Sequence, residues 1–153
     1  MASGQWLVVR KDCRLKWFAI VPAMFAVVAI AVPVLMARVP EIGFAVQRGF
    51  ALACHQRPER SFILFGGSVA VCARCLGIYL GAAAGLLVRV SRRMAWRCLI
   101  AAVAINLADG LAEIAGIHGN WLGARFLLGF ALGAAGAMMV ASVQPHSQLA
   151  TDY

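Results

Sequence analysis

The chain has 153 residues, of which 63% are apolar and 13% are charged, and its mean hydropathy is +0.84. Soluble globular domains are roughly half apolar and a quarter charged, so this composition excludes an ordinary soluble domain and indicates an integral membrane protein. The net charge of +8 comes from cations that lie between apolar runs rather than on one polar face, which argues against nucleic-acid binding. We therefore expect the lipid bilayer as a partner and no nucleic acid.

Four apolar runs are long enough to cross about 30 Å of hydrocarbon as helices. They cover residues 17–36, 67–88, 96–117 and 121–143. The first run is longer than the apolar region of a cleaved signal peptide, which has about 7–15 residues, so we interpret it as a retained span. Residues 42–54 form a shorter, interrupted run, which is typical of a helix that lies at the membrane interface. The sequence thus predicts an all-α membrane bundle of four transmembrane helices and one interfacial helix.

Residues 17–145 are predicted to form one transmembrane domain, preceded by a cytoplasmic segment at 1–16 and followed by a tail at 146–153. Lys and Arg accumulate on the cytoplasmic side of membrane proteins, so the cations near the span ends set the orientation. Eight of them flank the start of the first span and the turn between the second and third: Arg10, Lys11, Arg14, Lys16, Arg89, Arg92, Arg93 and Arg97. Four lie on the opposite side: Arg38, Arg48, Arg57 and Arg60. The excess predicts a multi-pass protein of the cell (inner) membrane with both termini in the cytoplasm.

Soft metal ligands collect at the extracytoplasmic side of this predicted bundle. Cys54 and His55 end the interfacial helix, and Cys72 and Cys75 lie in the first turns of the second span. Three cysteines and one histidine are the ligand set of a Cys₃His zinc site. Neighbouring residues 54 and 55 can share an ion only at a turn or helix end, and Pro58 favours such a break. The sequence therefore predicts a Zn²⁺-type site on these four residues.

A second polar group lies inside the predicted membrane region, on the third span. Asn106, Asp109 and Glu113 stand at i, i+3 and i+7 and share one helix face, while Arg74 and Arg125 can supply the opposite charge. Ionisable groups in hydrocarbon cost several kcal/mol unless they are paired or hydrated, so a buried polar pocket is expected. Asp109, Glu113 and Arg74 are the candidate catalytic residues, with either acid as general base if water occupies one metal position. The same acids can equally be ion-pair partners and no more.

Other polar residues around the pocket are candidates for substrate binding. They are Arg57, Arg60, Arg125, Asn106 and Asn120. Guanidinium groups match phosphate oxygens, so Arg57 and Arg60 could hold a lipid headgroup, which suggests a lipid or lipid-linked substrate. They could equally be rim residues whose charged ends reach the interface.

Two further functions use the same residues. Cys72 and Cys75 form a Cys-x-x-Cys pair at a helix start, where the helix dipole and Arg74 lower a thiol pKa, so one alternative is a thiol-disulfide oxidoreductase with a quinone ligand. Such enzymes generally use a second cysteine pair, whereas this side offers Cys54 alone. The other alternative is a non-enzymatic subunit or carrier. Glycines recur along the second and fourth spans, and such faces can pack within the chain, in a homo-oligomer or against another membrane subunit.

Two sequence motifs carry a family resemblance. CHQRPERSF occupies residues 54–62 and VCARCLGIYLG follows at 71–81. This double motif resembles a family of small prokaryotic integral membrane proteins known as domain of unknown function 2085, and the similarity extends over roughly residues 45–140. The resemblance implies a helical membrane fold. It carries no reaction, cofactor or partner.

Overall fold

The computed structural model describes residues 8–9, 13–117 and 119–143. Five α-helices dominate this part of the chain: α1 (Cys13–Arg38), α2 (Pro40–Ala51), α3 (Ala73–Leu86), α4 (Arg92–Ile114) and α5 (Leu122–Val143). Four two-residue strands form two antiparallel pairs, β1 (Val8–Val9) with β4 (Val88–Arg89) and β2 (Ile63–Leu64) with β3 (Gly67–Ser68), and a 3₁₀ helix covers Pro58–Arg60. The all-α prediction is confirmed. The predicted tail at 146–153 and most of the segment at 1–16 lie outside the described residues.

Three helices are long and apolar enough to cross a membrane: Trp17–Arg38, Arg92–Ile114 and Leu122–Val143. They correspond to three of the four predicted spans. The remaining predicted span, residues 67–88, contains α3. This helix is apolar but has only 14 residues, which is a length of about 21 Å at 1.5 Å per residue. Helix α2 lies where the interfacial helix was predicted, and Pro40 occupies its first turn, a position where a missing N–H costs nothing.

The predicted second span begins as part of a hairpin and a short non-helical segment rather than as a helix. Strands β2 and β3 are joined by Phe65 and Gly66, whose φ angles are 52° and 80°. Two central residues with positive φ match the twist of a two-residue hairpin, and glycine adopts that backbone without strain. The chain then bends at Ala70 and Val71 before it reaches Cys72, the N-cap of α3, whose backbone is extended. Helix α3 therefore starts several residues later than the apolar run does.

Helices α3 and α5 form the tightest contact in the bundle. A Cβ atom on Gly81 would overlap the carbonyl oxygen of Phe130, and one on Gly133 would overlap that of Ile78. Small residues allow two helix backbones to approach this closely. Successive contacts advance in the same direction along both helices, so α3 and α5 run parallel. The predicted glycine faces are thus used within the chain.

A proline in α1 holds the segment that leads into α3. Pro33 has no N–H group, so the carbonyl oxygen of Ala29 lacks its usual helical donor. The backbone N–H of Ala70 donates to that oxygen at 3.2 Å. Residues 69–71 are 0–2% exposed, and they pack on Ala26, Ala29 and Val32. This docking fixes the backbone immediately before Cys72.

Candidate metal centre and polar cavity

Three cysteines reach one place from two elements. Cys54 follows α2, and its N–H donates to the carbonyl oxygen of Phe50 at 2.9 Å, which continues the last helical turn. Cys72 caps α3, and Cys75 lies in the first turn of that helix. Phe50, Cys54 and the docked segment 69–71 belong to the same buried core. The packing of α2 and α3 on α1 therefore brings the thiols together.

The three sulfur atoms have the spacing that a metal site needs. The Sγ atoms of Cys54, Cys72 and Cys75 all lie within 4.8 Å of one another, and all three thiols are free. Tetrahedral zinc with Zn–S bonds of about 2.3 Å would separate its sulfurs by about 3.8 Å. The backbone N–H of Cys72 also donates to the Sγ of Cys54 at 3.2 Å, and such a bond stabilises a thiolate. This cluster could bind a metal ion after a small adjustment of side chains.

The electrostatics at the start of α3 favour a thiolate. The guanidinium of Arg74 lines the same cavity as the three cysteines, and a nearby cation favours the thiolate form of a cysteine. Cys72 precedes the first helical residue, Ala73, where the positive end of the helix dipole also favours a negative charge. A thiolate is the form that ligates metal and attacks disulfides.

His55 is not part of the cysteine group in the described part of the chain. Its side chain is exposed and lines the cavity that the three cysteines also line. The next residue, Gln56, has a positive φ of 48° and donates from Nε2 to the carbonyl oxygen of Gln47 at 2.6 Å. Cys54 is thus buried, whereas its neighbour His55 is exposed beside the same cavity. Histidine ligation stays a prediction.

The cysteine cluster opens on a cavity of about 260 Å³ that is rich in arginine. Four guanidinium groups line it: those of Arg57, Arg60, Arg74 and Arg125. Arg125 is only 5% exposed, although it belongs to a helix that is long and apolar enough to span a membrane. A buried guanidinium requires a compensating negative charge. The four arginines make the cavity walls cationic, and the buried Arg125 needs an acidic partner.

Two acids of α4 supply part of that compensation, as their spacing predicted. Asp109 forms an ion pair with Arg74, and Glu113 forms one with Arg125. Glu113 also pairs with Arg60, with an Oε1–Nη2 distance of 2.8 Å. Neither acid is among the residues that line the cavity. The acids pair with arginines that line the cavity, and a catalytic role for Asp109, Glu113 or Arg74 stays a prediction.

The two predicted asparagines connect elements instead of lining the cavity. Asn106 donates from Nδ2 to the carbonyl oxygens of Ala102, at 2.8 Å, and Leu128, at 3.1 Å, which links α4 to α5. Asn120 donates to the backbone oxygen of Glu59 in the 3₁₀ helix. Among the five candidates for substrate binding, the three arginines line the cavity. The roles of all five in substrate binding are untested.

A second, apolar cavity was missed by the sequence analysis. It has a volume of about 390 Å³ and lies between α1, α2 and α3. Val46, Gly49, Phe50 and Ala53 line it from the α2 side, and their i, i+3, i+4, i+7 spacing is the signal that could have revealed an apolar face. Its other wall consists of Met24, Phe25, Val28 and Tyr79. No local pattern in the sequence indicates that a cavity lies between these two walls.

The membrane-length helices and the buried polar site define an integral membrane protein with a thiol cluster. The family described as "Predicted membrane protein (DUF2085)" matches residues 54–139, more than half of the chain, and this protein belongs to that family. The resemblance inferred from the double motif is thereby confirmed. All three clustered cysteines lie within the matched region.

Two curated relatives are similar to this chain. An uncharacterized protein of Methanocaldococcus jannaschii is 34% identical over 94 residues, which are 55% of this chain and 58% of that protein. An uncharacterized protein of Methanothermobacter thermautotrophicus is 54% identical over 33 residues, which are 22% of this chain and 30% of that protein. The chain thus spans less than two thirds of the length of both relatives. No solved structure matches it.

Proposed function

We propose that Cys54, Cys72 and Cys75 bind a zinc-type ion as thiolates, with His55 as the fourth ligand. The approach of the three sulfur atoms to within 4.8 Å carries this proposal. Three thiolates and one imidazole suit a tetrahedral, borderline-soft ion such as Zn²⁺. His55 is the natural fourth ligand because it follows Cys54 directly and lines the same cavity.

We further propose that the chain crosses the membrane four times, with α3 and the non-helical residues before it as one crossing. The helix supplies about 21 Å of the roughly 30 Å of hydrocarbon, and the non-helical residues 69–72 before it supply part of the rest. Irregular backbone is tolerated at membrane depth where protein surrounds it, and residues 69–71 are buried. The cation distribution supports a metal site on the extracytoplasmic side of the cell membrane, with both termini in the cytoplasm.

The role that fits this site best is structural. Four protein ligands close a zinc site, and the ion then connects the end of α2 to the start of α3. Between these elements lies the turn that carries Arg57 and Arg60 to the cavity. Asp109 and Glu113 already pair with arginines, so in this proposal they position the arginines of the cavity wall and do not activate a water molecule.

Elemental analysis of the purified protein tests the metal centre. Wild type prepared without chelators is expected to carry about one zinc per chain, and the Cys54→Ser, Cys72→Ser and Cys75→Ser variants less than about 0.2. Cys98→Ser is the matched control, because Cys98 is a free cysteine of α4 outside the cluster. Wild-type protein with less than about 0.2 metal per chain would refute the proposal.

A thiol-disulfide oxidoreductase is the second candidate, because Cys72 and Cys75 are both free and adjoin across the first turn of α3. Disulfide formation would remove two electrons and two protons from the pair, and a membrane quinone is the class of acceptor that fits. Alkylation of free thiols with and without prior reduction tests this function. It requires a Cys72–Cys75 disulfide in part of the oxidised protein, and its complete absence would exclude it.

A further inference from the structure

The arginine-lined cavity and the apolar cavity meet at one residue. Ala53, in the turn between α2 and Cys54, lines both of them. One cavity is polar and cationic, and the other is walled almost entirely by apolar side chains of α1, α2 and α3. Two adjoining cavities of opposite character suit a ligand that has an anionic end and an apolar end.

The polar cavity has more positive charge than its own partners neutralise. Four arginines line it, and the two acids Asp109 and Glu113 pair with three of them. The proposed centre of Zn²⁺ and three thiolates adds one net negative charge, so the arginines still leave one positive charge in excess. Arg57 has no ion-pair partner among the described residues, and it is exposed at the mouth. Guanidinium groups bind phosphate oxygens in pairs, with matched geometry. An anion with several oxygens would therefore complete this charge arrangement.

The apolar cavity has the size and the position for a hydrocarbon chain. Its volume of about 390 Å³ falls in the range of small-molecule sites. Met24 and Phe25 of its wall are 58% and 49% exposed in the isolated chain. They lie within the apolar α1 span, so the bilayer covers this face. A chain could enter from the lipid without crossing water.

We propose that the two cavities together bind a lipid phosphate, with the phosphate among the arginines and an acyl or prenyl chain between α1 and α2. This inference rests on the proposed function, because the metal centre would fix the turn between the cavities. It adds the class of ligand that the site takes. The polar end requires negative charge, and the apolar end requires a hydrocarbon tail.

Binding of three probes to the full-length protein in a neutral detergent tests the ligand class. They are dioctanoyl phosphatidic acid, inorganic phosphate and dioctanoylglycerol. The first has both a phosphate and acyl chains, the second has the phosphate alone, and the third has the acyl chains alone. Phosphatidic acid is expected to bind at least about tenfold more tightly than either other probe, because it alone occupies both cavities. Equal affinity for inorganic phosphate would show a headgroup site only and would overturn the proposal. Equal affinity for dioctanoylglycerol would also overturn it, because the phosphate would then contribute nothing.

Two substitutions separate the ends of the ligand. Arg57→Gln is expected to weaken phosphatidic acid binding about tenfold, through one lost charge-assisted contact, whereas Arg93→Gln, outside the cavity, is a control. Gly49→Leu should fill the apolar cavity, because a Cβ there meets nothing within 4 Å, and should weaken the lipid without affecting inorganic phosphate. Gly136→Leu has equal free space in a different groove and is its control. Unchanged lipid affinity in both test variants would refute the proposal.

Metal content, measured on the same samples, distinguishes the two proposals. Lipid binding by protein that carries no metal would refute the metal centre and support the lipid site. Stoichiometric metal without selective lipid binding would refute the lipid site and support the metal centre.

Discussion

The backbone N–H of Cys72 donates a hydrogen bond of 3.2 Å to the sulfur of Cys54, 18 residues earlier in the chain. One residue follows the end of α2 and the other caps the start of α3. The bond joins two elements through atoms that also belong to the thiol cluster. Metal binding at this centre should therefore increase the stability of the folded chain, since an ion that binds only the folded chain stabilises it.

Chelation is expected to lower the thermal stability of the wild-type protein. Free metal at a hundred times its Kd stabilises the folded state by about 2.7 kcal/mol, which corresponds to about 5–10 °C for a chain of this size. Intrinsic tryptophan fluorescence in detergent, with and without chelator, measures the shift. Cys75→Ser should lose the shift and Cys98→Ser should retain it. A shift of equal size in Cys75→Ser would show that the metal acts elsewhere.

Replacing His55 tests the fourth ligand separately from the cysteines. We expect His55→Ala to retain some zinc but to bind it at least about tenfold more weakly, because even the outer partners of metal ligands contribute about 10–100-fold to affinity. Competition with a chromophoric chelator measures the affinity. Glu59→Gln, an exposed residue of the same turn, is the control. Equal affinity in both variants would remove His55 from the site.

Much of this fold follows from local patterns. The lengths of the apolar runs predict α1, α4 and α5, because a span needs about 20 apolar residues. The spacing of Asp109 and Glu113 places both on one face of α4. Because a charged side chain inside a membrane bundle needs a partner of opposite charge, Arg74 and Arg125 are the expected partners. The pairing of these acids with arginines of neighbouring helices is thus readable from sequence.

The position of the cysteines was harder to predict, because it depends on contacts between distant segments. Apolar composition gives residues 67–72 the same pattern as a helix, yet residues 67–68 are a hairpin strand and residues 69–72 are non-helical, with bends at Ala70 and Val71. Their docking depends on the carbonyl oxygen that Pro33 leaves free in α1. Cys54 is buried while its neighbour His55 is exposed, and no pattern in the sequence predicts this difference.

Pro33 is expected to control the accessibility of the thiols. In Pro33→Ala the new N–H competes for the carbonyl oxygen of Ala29 within α1, so the bond from the Ala70 N–H is expected to weaken and the segment before Cys72 to loosen. Alkylation of Cys54, which is 5% exposed, should then accelerate several-fold in chelated protein. Peptide mass spectrometry measures its rate. Pro22→Ala, also within α1, should leave the rate near wild type, and an equal rate in both variants would contradict the role of Pro33.

The Arg74–Asp109 pair should contribute to stability in a way that depends on both partners. The side chains are 28% and 14% exposed, so Asp109→Asn is expected to cost about 1–3 kcal/mol, less than the 3–5 kcal/mol of a fully buried pair. Adding Arg74→Gln should cost less than the sum of the single changes, because no unpaired cation remains. Denaturation in mixed detergent measures each free energy of unfolding, with Glu41→Gln as an exposed control. Strict additivity would contradict coupling.

Gly81 should tolerate no side chain, although alanine is the better helix former. A Cβ there would overlap the backbone of Phe130, so Gly81→Ala must separate α3 from α5 and is expected to cost more than about 2 kcal/mol. At Gly110 of α4 a Cβ meets nothing within 4 Å, and Gly110→Ala should be neutral or gain up to about 1 kcal/mol from helix propensity. The same denaturation assay compares them. Because α3 carries Cys72 and Cys75, Gly81→Ala should also lower the metal content, whereas an intact cluster in this variant would show that the thiols are positioned independently of α5.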